Sequence, residues 1–199
     1  MSAHLYIEGG ESKEDQIRCR EGFRKLIGKL GFAAGKKMPR LSACGGRNAA
    51  FDDFKTAHGS SKEGDYIAML IDSEDPVADG EKTWEHLKTR DNWDKPAGAV
   101  DEQVLLMTTC METWIVADRA ALKEHYGQKL QENALPPLID LENRNRKEVH
   151  DKLTQATRDC SNAYAKGKRS FEVVGMLNQT VLSSLPAFAR MASVLKAKL

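Results

Sequence analysis

The feature that most constrains this chain is "YIAMLI" at residues 66–71, an unbroken apolar run that passes straight into Asp72-Ser73-Glu74-Asp75. A half-buried strand alternates apolar and polar residues. A strand that is apolar throughout is buried on both faces, which is the habit of a central strand in a parallel sheet covered by helices. Three carboxylates at the end of such a strand repel one another unless a proton or a cation intervenes. The run therefore sets both the expected fold and the question of what the charge is for.

The flanking sequence supports an α/β alternation. Residues 3–8, "AHLYIE", read as a strand ended by Gly9-Gly10, and 13–30 as an amphipathic helix with Ile17, Phe23, Leu26, Ile27 and Leu30 near helical spacing. Gly31 supplies a C-terminal stop. A strand over 38–44, a helix over 47–58, a helix over 81–89 and a strand over 103–109 follow. "METWIVADRAALKEHYG" continues as one or two helices up to Gly127. This order predicts a Rossmann-like, mostly parallel central sheet flanked by helices over residues 1–129. Beyond it, "NALPPLIDLENRN" is a connection broken by proline. Helical patterns over 146–159, 170–177 and 181–197 predict a helical C-terminal extension over 130–199, packed on the core.

Composition narrows the function classes. The chain of 199 residues is 41% hydrophobic and 30% charged, with a formal net charge of +1. That suits a globular core and gives no global basic field, so any nucleic-acid site has to be a local patch. No apolar run reaches the length of a membrane span, and the N-terminal residues lack the pattern of a signal peptide. The expectation is a cytoplasmic protein, without a membrane partner, whose four separated cysteines are reduced thiols. The dispersed histidines and the absence of CxxC argue against zinc, and no GxSxG is present for a serine nucleophile.

In parallel α/β sheets, ligands bind outside the carboxyl ends of the strands. Glu8 ends the first predicted strand and Asp72 the third. Asp72 and Glu74 are two apart, so in an extended segment they point to the same side. Glu8, Asp72 and Glu74 are thus expected to converge, with Asp75 and Glu11 near enough to join. Hard divalent cations such as Mg2+ or Mn2+ take such oxygen ligands. The competing reading is that Asp72 and Asp75 cap the turn that Pro76 supports. Glu112, at the start of a helix after a strand, is either a further acidic ligand or a carboxylate favoured by the helix dipole. Trp114 reads as core and Asp118 as a cap or turn residue.

Two basic segments are candidate phosphate contacts. "ACGGRNAAFDDF" puts two glycines and Arg47 before a helix, where backbone N–H groups can hold an anion. It lacks P-loop spacing, and a plain tight turn explains it as well. "YAKGKRS" concentrates Lys166, Lys168 and Arg169, a set that can neutralise backbone phosphates or simply form a solvated loop.

"LYIEGG" before a helix, followed by "AMLIDSED" at a later strand end, resembles the Toprim domain of topoisomerases, primases and overcoming-lysogenization-defect nucleases. Glu8 stands at the position of that domain's first Glu, and Asp72-Ser73-Glu74 at that of its Asp-x-Asp, with Glu replacing the last Asp. The chain is similar, over most of its length, to a small uncharacterised bacterial family with a Toprim-like fold, often encoded beside ABC-type ATPases. Glu112-Thr113-Trp114-Ile115-Val116-Ala117-Asp118 and "YAKGKRSFEVVGML" carry that closer likeness. The resemblance implies a Mg2+-dependent nuclease or phosphotransfer subunit acting on DNA or RNA, in anti-phage defence with an ATPase partner. Glu8, Asp72 and Glu74 would be its catalytic and metal-holding residues, and Asp75 the alternative second ligand. A non-catalytic module that docks on an ABC-type ATPase is the alternative. A receiver-like phosphoacceptor with Asp72 as acceptor lacks the downstream Thr and Lys. Self-association is left open.

Overall fold

The computed structural model describes residues 2–32 and 37–199. Four strands, β1 (Ala3–Ile7), β2 (Arg40–Ala43), β3 (Tyr66–Asp72) and β4 (Val104–Met107), form one sheet in the order β2-β1-β3-β4, and every pairing is parallel. This is a Rossmann-like α/β architecture, as the apolar run at 66–71 predicts. All seven residues of β3 are buried.

The burial of β3 on both faces follows from the helices around it. Helix α1 (Lys13–Gly28) leaves β1, and α2 (Arg47–Gly59) brings the chain back to β3. Ala68 and Leu70 of β3 pack with Phe23, Leu26 and Ile27 of α1 in one core. Ile67, Met69 and Ile71 point the other way, to Phe51 and Phe54 of α2 and to Trp84 and Leu87 of α3 (Thr83–Asp91). The alternation is the period of two of an extended chain, with both phases apolar because both faces are covered. Ile17, on the expected apolar stripe of α1, is 48% exposed instead.

Beyond β4 come α4 (Met111–Ala117) and α5 (Arg119–Tyr126), broken at Asp118, and then α6 (Arg146–Thr157), α7 (Lys168–Met176), α8 (Gln179–Leu182) and α9 (Pro186–Lys198). Asp118 is a cap, as expected: one oxygen accepts from the Ala121 amide at 3.0 Å and the other from the Asn178 amide at 2.8 Å. The helix expected over 181–197 is two helices. Pro186 lacks an N–H and starts the second, the position where that loss costs least. These helices pack on the α1 face, and one apolar core runs from Leu5 through Trp114 and Phe188 to Leu199. Helix α9 also guards the exposed side of β4: Arg190 donates to the carbonyls of Val104 and Asp101, both at 3.1 Å, covering a strand edge that would otherwise present unpaired backbone.

Glu142 holds the start of α9, with both carboxylate oxygens accepting from the Ala187 amide at 3.1 and 3.2 Å. Burial pushes its carboxyl from the ordinary 4.5 up to about 7. The folded chain then binds this proton more tightly than the unfolded chain, so stability falls as pH rises from about 4.5 to 7. Glu142→Gln keeps an acceptor for Ala187 and removes the ionisation. Thermal melts across that range are expected to show a flatter pH dependence than wild type, with the variant the more stable of the two at pH 8.

Candidate metal and phosphate site

The connections of β1 and β3 leave in opposite directions along the sheet, which opens a crevice at their carboxyl ends. Glu8 and Asp72 sit there. The Glu8 amide continues the sheet by donating to the Leu70 carbonyl at 2.9 Å, and the Glu8 side chain crosses the crevice so that Oε2 accepts from the Asp72 amide at 3.0 Å. Gly9 then pairs with Gly45, through reciprocal hydrogen bonds of 2.7 and 3.0 Å. Gly9 requires its missing side chain: with φ at +141°, an added Cβ would lie 2.9 Å from Phe171 Cζ.

Asp72 is buried. One oxygen, Oδ1, accepts from the Met111 amide at the start of α4, at 2.8 Å. The chain then turns. Glu74 has φ of +70°, and its amide donates to the Thr109 carbonyl at 2.8 Å. An extended segment is expected to align Asp72 and Glu74. The structure aligns them by a left-handed turn at Glu74, which no residue type in "DSED" announces. The result is that Glu8, Asp72 and Glu74 each offer an oxygen within 4.8 Å of the other two.

Negative charge at this cluster is costly. Burial is the largest cause that raises the Asp72 pKa well above the ordinary carboxylate range, and the neighbouring Glu8 and Glu112 add to it. Glu8 is also raised by burial, partly offset by the Arg47 guanidinium 3.8 Å away. Glu112 is buried on α4, and its Oε1 accepts from the hydroxyl of buried Tyr164. Glu74 is neutralised by Arg90 at 3.2 Å and by Arg146.

Two hollows meet at these residues. A cavity of about 210 Å3 is walled by Glu8, Gly10, Glu11, Gly45, Asp72 and Ser170, among others. A more open cleft of about 550 Å3 is walled by Glu74, Arg90, Arg146, Lys147 and His150. Asp72, Glu112 and Lys166 line both.

Not every expected residue arrives. Asp75 has a 62% exposed side chain and pairs with Arg90 at 3.1 Å, outside the trio. Glu11 reaches the cavity wall without joining the trio. Arg47 braces the crevice. It donates to Asp91 at 2.6 and 3.3 Å and to the Asp72 carbonyl, and it stacks 5.0 Å over the Trp93 ring. Arg169 donates to the Ala163 carbonyl at 2.5 Å and lines neither hollow. The side chain of Lys168 lies outside the described residues. Trp114 is core, edge-on to Phe188 at 5.1 Å. The four cysteines are free, and burial pushes the Cys19 and Cys44 thiols up to about 12, far from nucleophilic.

Sequence reasoning missed Arg90, Arg146 and Tyr164. Arg90 and Arg146 lie on helices among other charged residues, and no spacing links them to "DSED". Tyr164 stands at the head of the "YAKGKRS" segment, where the charges drew the attention.

Fold and site together define a Rossmann-like α/β protein with a cluster of buried and half-buried carboxylates that can coordinate a divalent cation at the sheet's switch point. The chain belongs to the family described as "Domain of unknown function (DUF4276)", whose model matches residues 14–196. No curated protein matches the chain, and no solved structure does. Among the described residues, no helix is long and apolar enough to cross a membrane.

Proposed function

We propose that the chain binds Mg2+ or Mn2+ between Glu8, Asp72 and Glu74 and uses it for hydrolysis or transfer at a phosphodiester. The observation that carries this reading is the convergence of three carboxylates within 4.8 Å at the switch point, beside a cleft with four cationic side chains. The donor set suits the ion, because it offers only hard oxygen ligands. Asp72 spends one oxygen on the Met111 amide, which fixes the carboxylate and leaves the other as a donor. Such an ion supplies charge stabilisation and a lowered pKa for bound water. Lys166, at the junction of the two hollows, is placed for an anionic substrate. The Toprim resemblance adds a nucleic-acid substrate, an ABC-type ATPase partner, a role in anti-phage defence and a cytoplasmic setting.

Calorimetric titration with Mg2+ and Mn2+ tests this first. Wild type is expected to bind one ion, and Glu8→Gln is expected to weaken binding by at least about tenfold. Binding that is indifferent to Glu8 would remove Glu8 from the site, and no binding at millimolar metal would sink the reading. A second reading, a non-catalytic module docking on an ABC-type ATPase, draws on one observation. Glu74 is already neutralised by Arg90 and Arg146, as in a structural ion network. It predicts ATPase capture that survives Glu8→Gln, with no nucleic-acid cleavage to lose.

A further inference from the structure

We propose that the cleft formed by Arg90, Arg146, Lys147 and Lys166 is a phosphodiester subsite controlled by an exchange of partners at Glu74: Glu74 leaves Arg146 for the cation, and a backbone phosphate takes its place on the guanidinium. This rests on the cation reading above and adds how substrate and ion are coupled.

The exchange follows from how the charges are shared. Glu74 offers one carboxylate to two sets of neighbours. It belongs to the trio with Glu8 and Asp72, and Oε2 also serves both Arg90 and Arg146. A carboxylate that ligates a divalent ion is a weaker partner for a guanidinium. The two arginines are not equally dependent on it. Arg90 keeps Asp75 at 3.1 Å and Asp91 beside it. Among the described residues Glu74 is the one ion-pair partner of Arg146, whose side chain is 47% exposed. Arg146 is therefore the group left without a counter-charge when Glu74 turns to the ion.

The surroundings favour a phosphate as the replacement. Arg146 opens α6, a helix of 12 residues whose dipole favours an anion at that end, where the Asn145 side chain already accepts from the Lys147 amide at 2.8 Å. Lys147 is the next residue. Lys166 is exposed, has no ion pair among the described residues, and lines both the cleft and the carboxylate cavity. A phosphate held there lies next to the ion. The planar guanidinium can bind it through two parallel hydrogen bonds. Each ligand relieves an obstacle to the other, so their affinities must rise together and by the same factor.

The test measures Mn2+ affinity by calorimetry, alone and with a short single-stranded phosphorothioate oligonucleotide. A methylphosphonate oligonucleotide of the same bases, which lacks backbone charge, is the control. Wild type is expected to bind Mn2+ about fivefold or more tightly with the charged oligonucleotide and to be unmoved by the neutral one. Arg146→Gln, matched to wild type by its melting temperature, is expected to bind Mn2+ alone more tightly than wild type. Its coupling is expected to shrink below about twofold. Equal coupling in both proteins, or weaker Mn2+ binding by Arg146→Gln alone, overturns the exchange. Mn2+ binding without coupling overturns the exchange and leaves the cation site standing, whereas failure of wild type to bind Mn2+ removes the cation site itself.

Discussion

Asp72→Asn is expected to raise the melting temperature of the metal-free protein and, at the same time, to lower its Mn2+ affinity by at least about 100-fold. The two effects have one cause. Asp72 is buried at the end of β3 with Glu8 and Glu112 acting on it, so its charge is costly without a cation. Asparagine keeps an acceptor for the Met111 amide, now at 2.8 Å from Oδ1, and removes the charge. The gain is of order 1–3 kcal/mol, and each kcal/mol moves Tm by roughly 2–4 °C in a chain of this size. The same substitution deletes an anionic ligand. Paired thermal melts and Mn2+ calorimetry read both. A lowered Tm with Mn2+ affinity intact would make Asp72 a capping residue for α4 and nothing more.

Gly22→Ala is expected to be the most damaging single-methyl change in α1. A Cβ at Gly22 would lie 2.3 Å from the Phe171 carbonyl oxygen, which is backbone of α7 and cannot swing aside. The helices must part. The cost is about 3 kcal/mol, at the upper end of overpacking effects, against a helix-propensity gain of under about 1 kcal/mol. The effect reaches the site, because α7 carries Ser170 and Phe171 into the cavity wall. Gly28→Ala, in the same helix, meets nothing closer than Met38 Cε at 3.8 Å and is expected to be neutral or stabilising. Chemical denaturation of the two variants beside wild type gives the contrast. Equal effects would mean that the α1–α7 crossing has slack.

Much of the sheet was legible because its signals are local. "YIAMLI" announces a strand covered on both faces, and Gly9-Gly10 and Gly45-Gly46 mark the turns after β1 and β2, whereas the first helix ends at Gly28, before the expected stop at Gly31. Boundaries shifted where a single residue overrode periodicity, as at Pro186, which divides the last predicted helix. Glu8 and Asp72 were legible as a pair because strand ends in a parallel sheet share an edge. Glu74 was legible by position only: the turn that brings it in depends on a hydrogen bond to Thr109, 35 residues away in the chain.

The sequence by itself determined that the chain is an α/β protein, that its third strand is central, and that acidic groups gather at the carboxyl edge. Those properties depend on residue type and short-range order. The tertiary structure alone decided which charges are spent and which remain. It committed Arg47 to Asp91 and the Asp72 carbonyl, turned Asp75 out to Arg90, and set Tyr164 on Glu112. It also placed Arg146, 72 residues beyond Glu74, on the same carboxylate that can serve a cation. An ion pair forms where folding brings two side chains together, and sequence spacing carries no record of that when the partners sit on elements packed from distant parts of the chain.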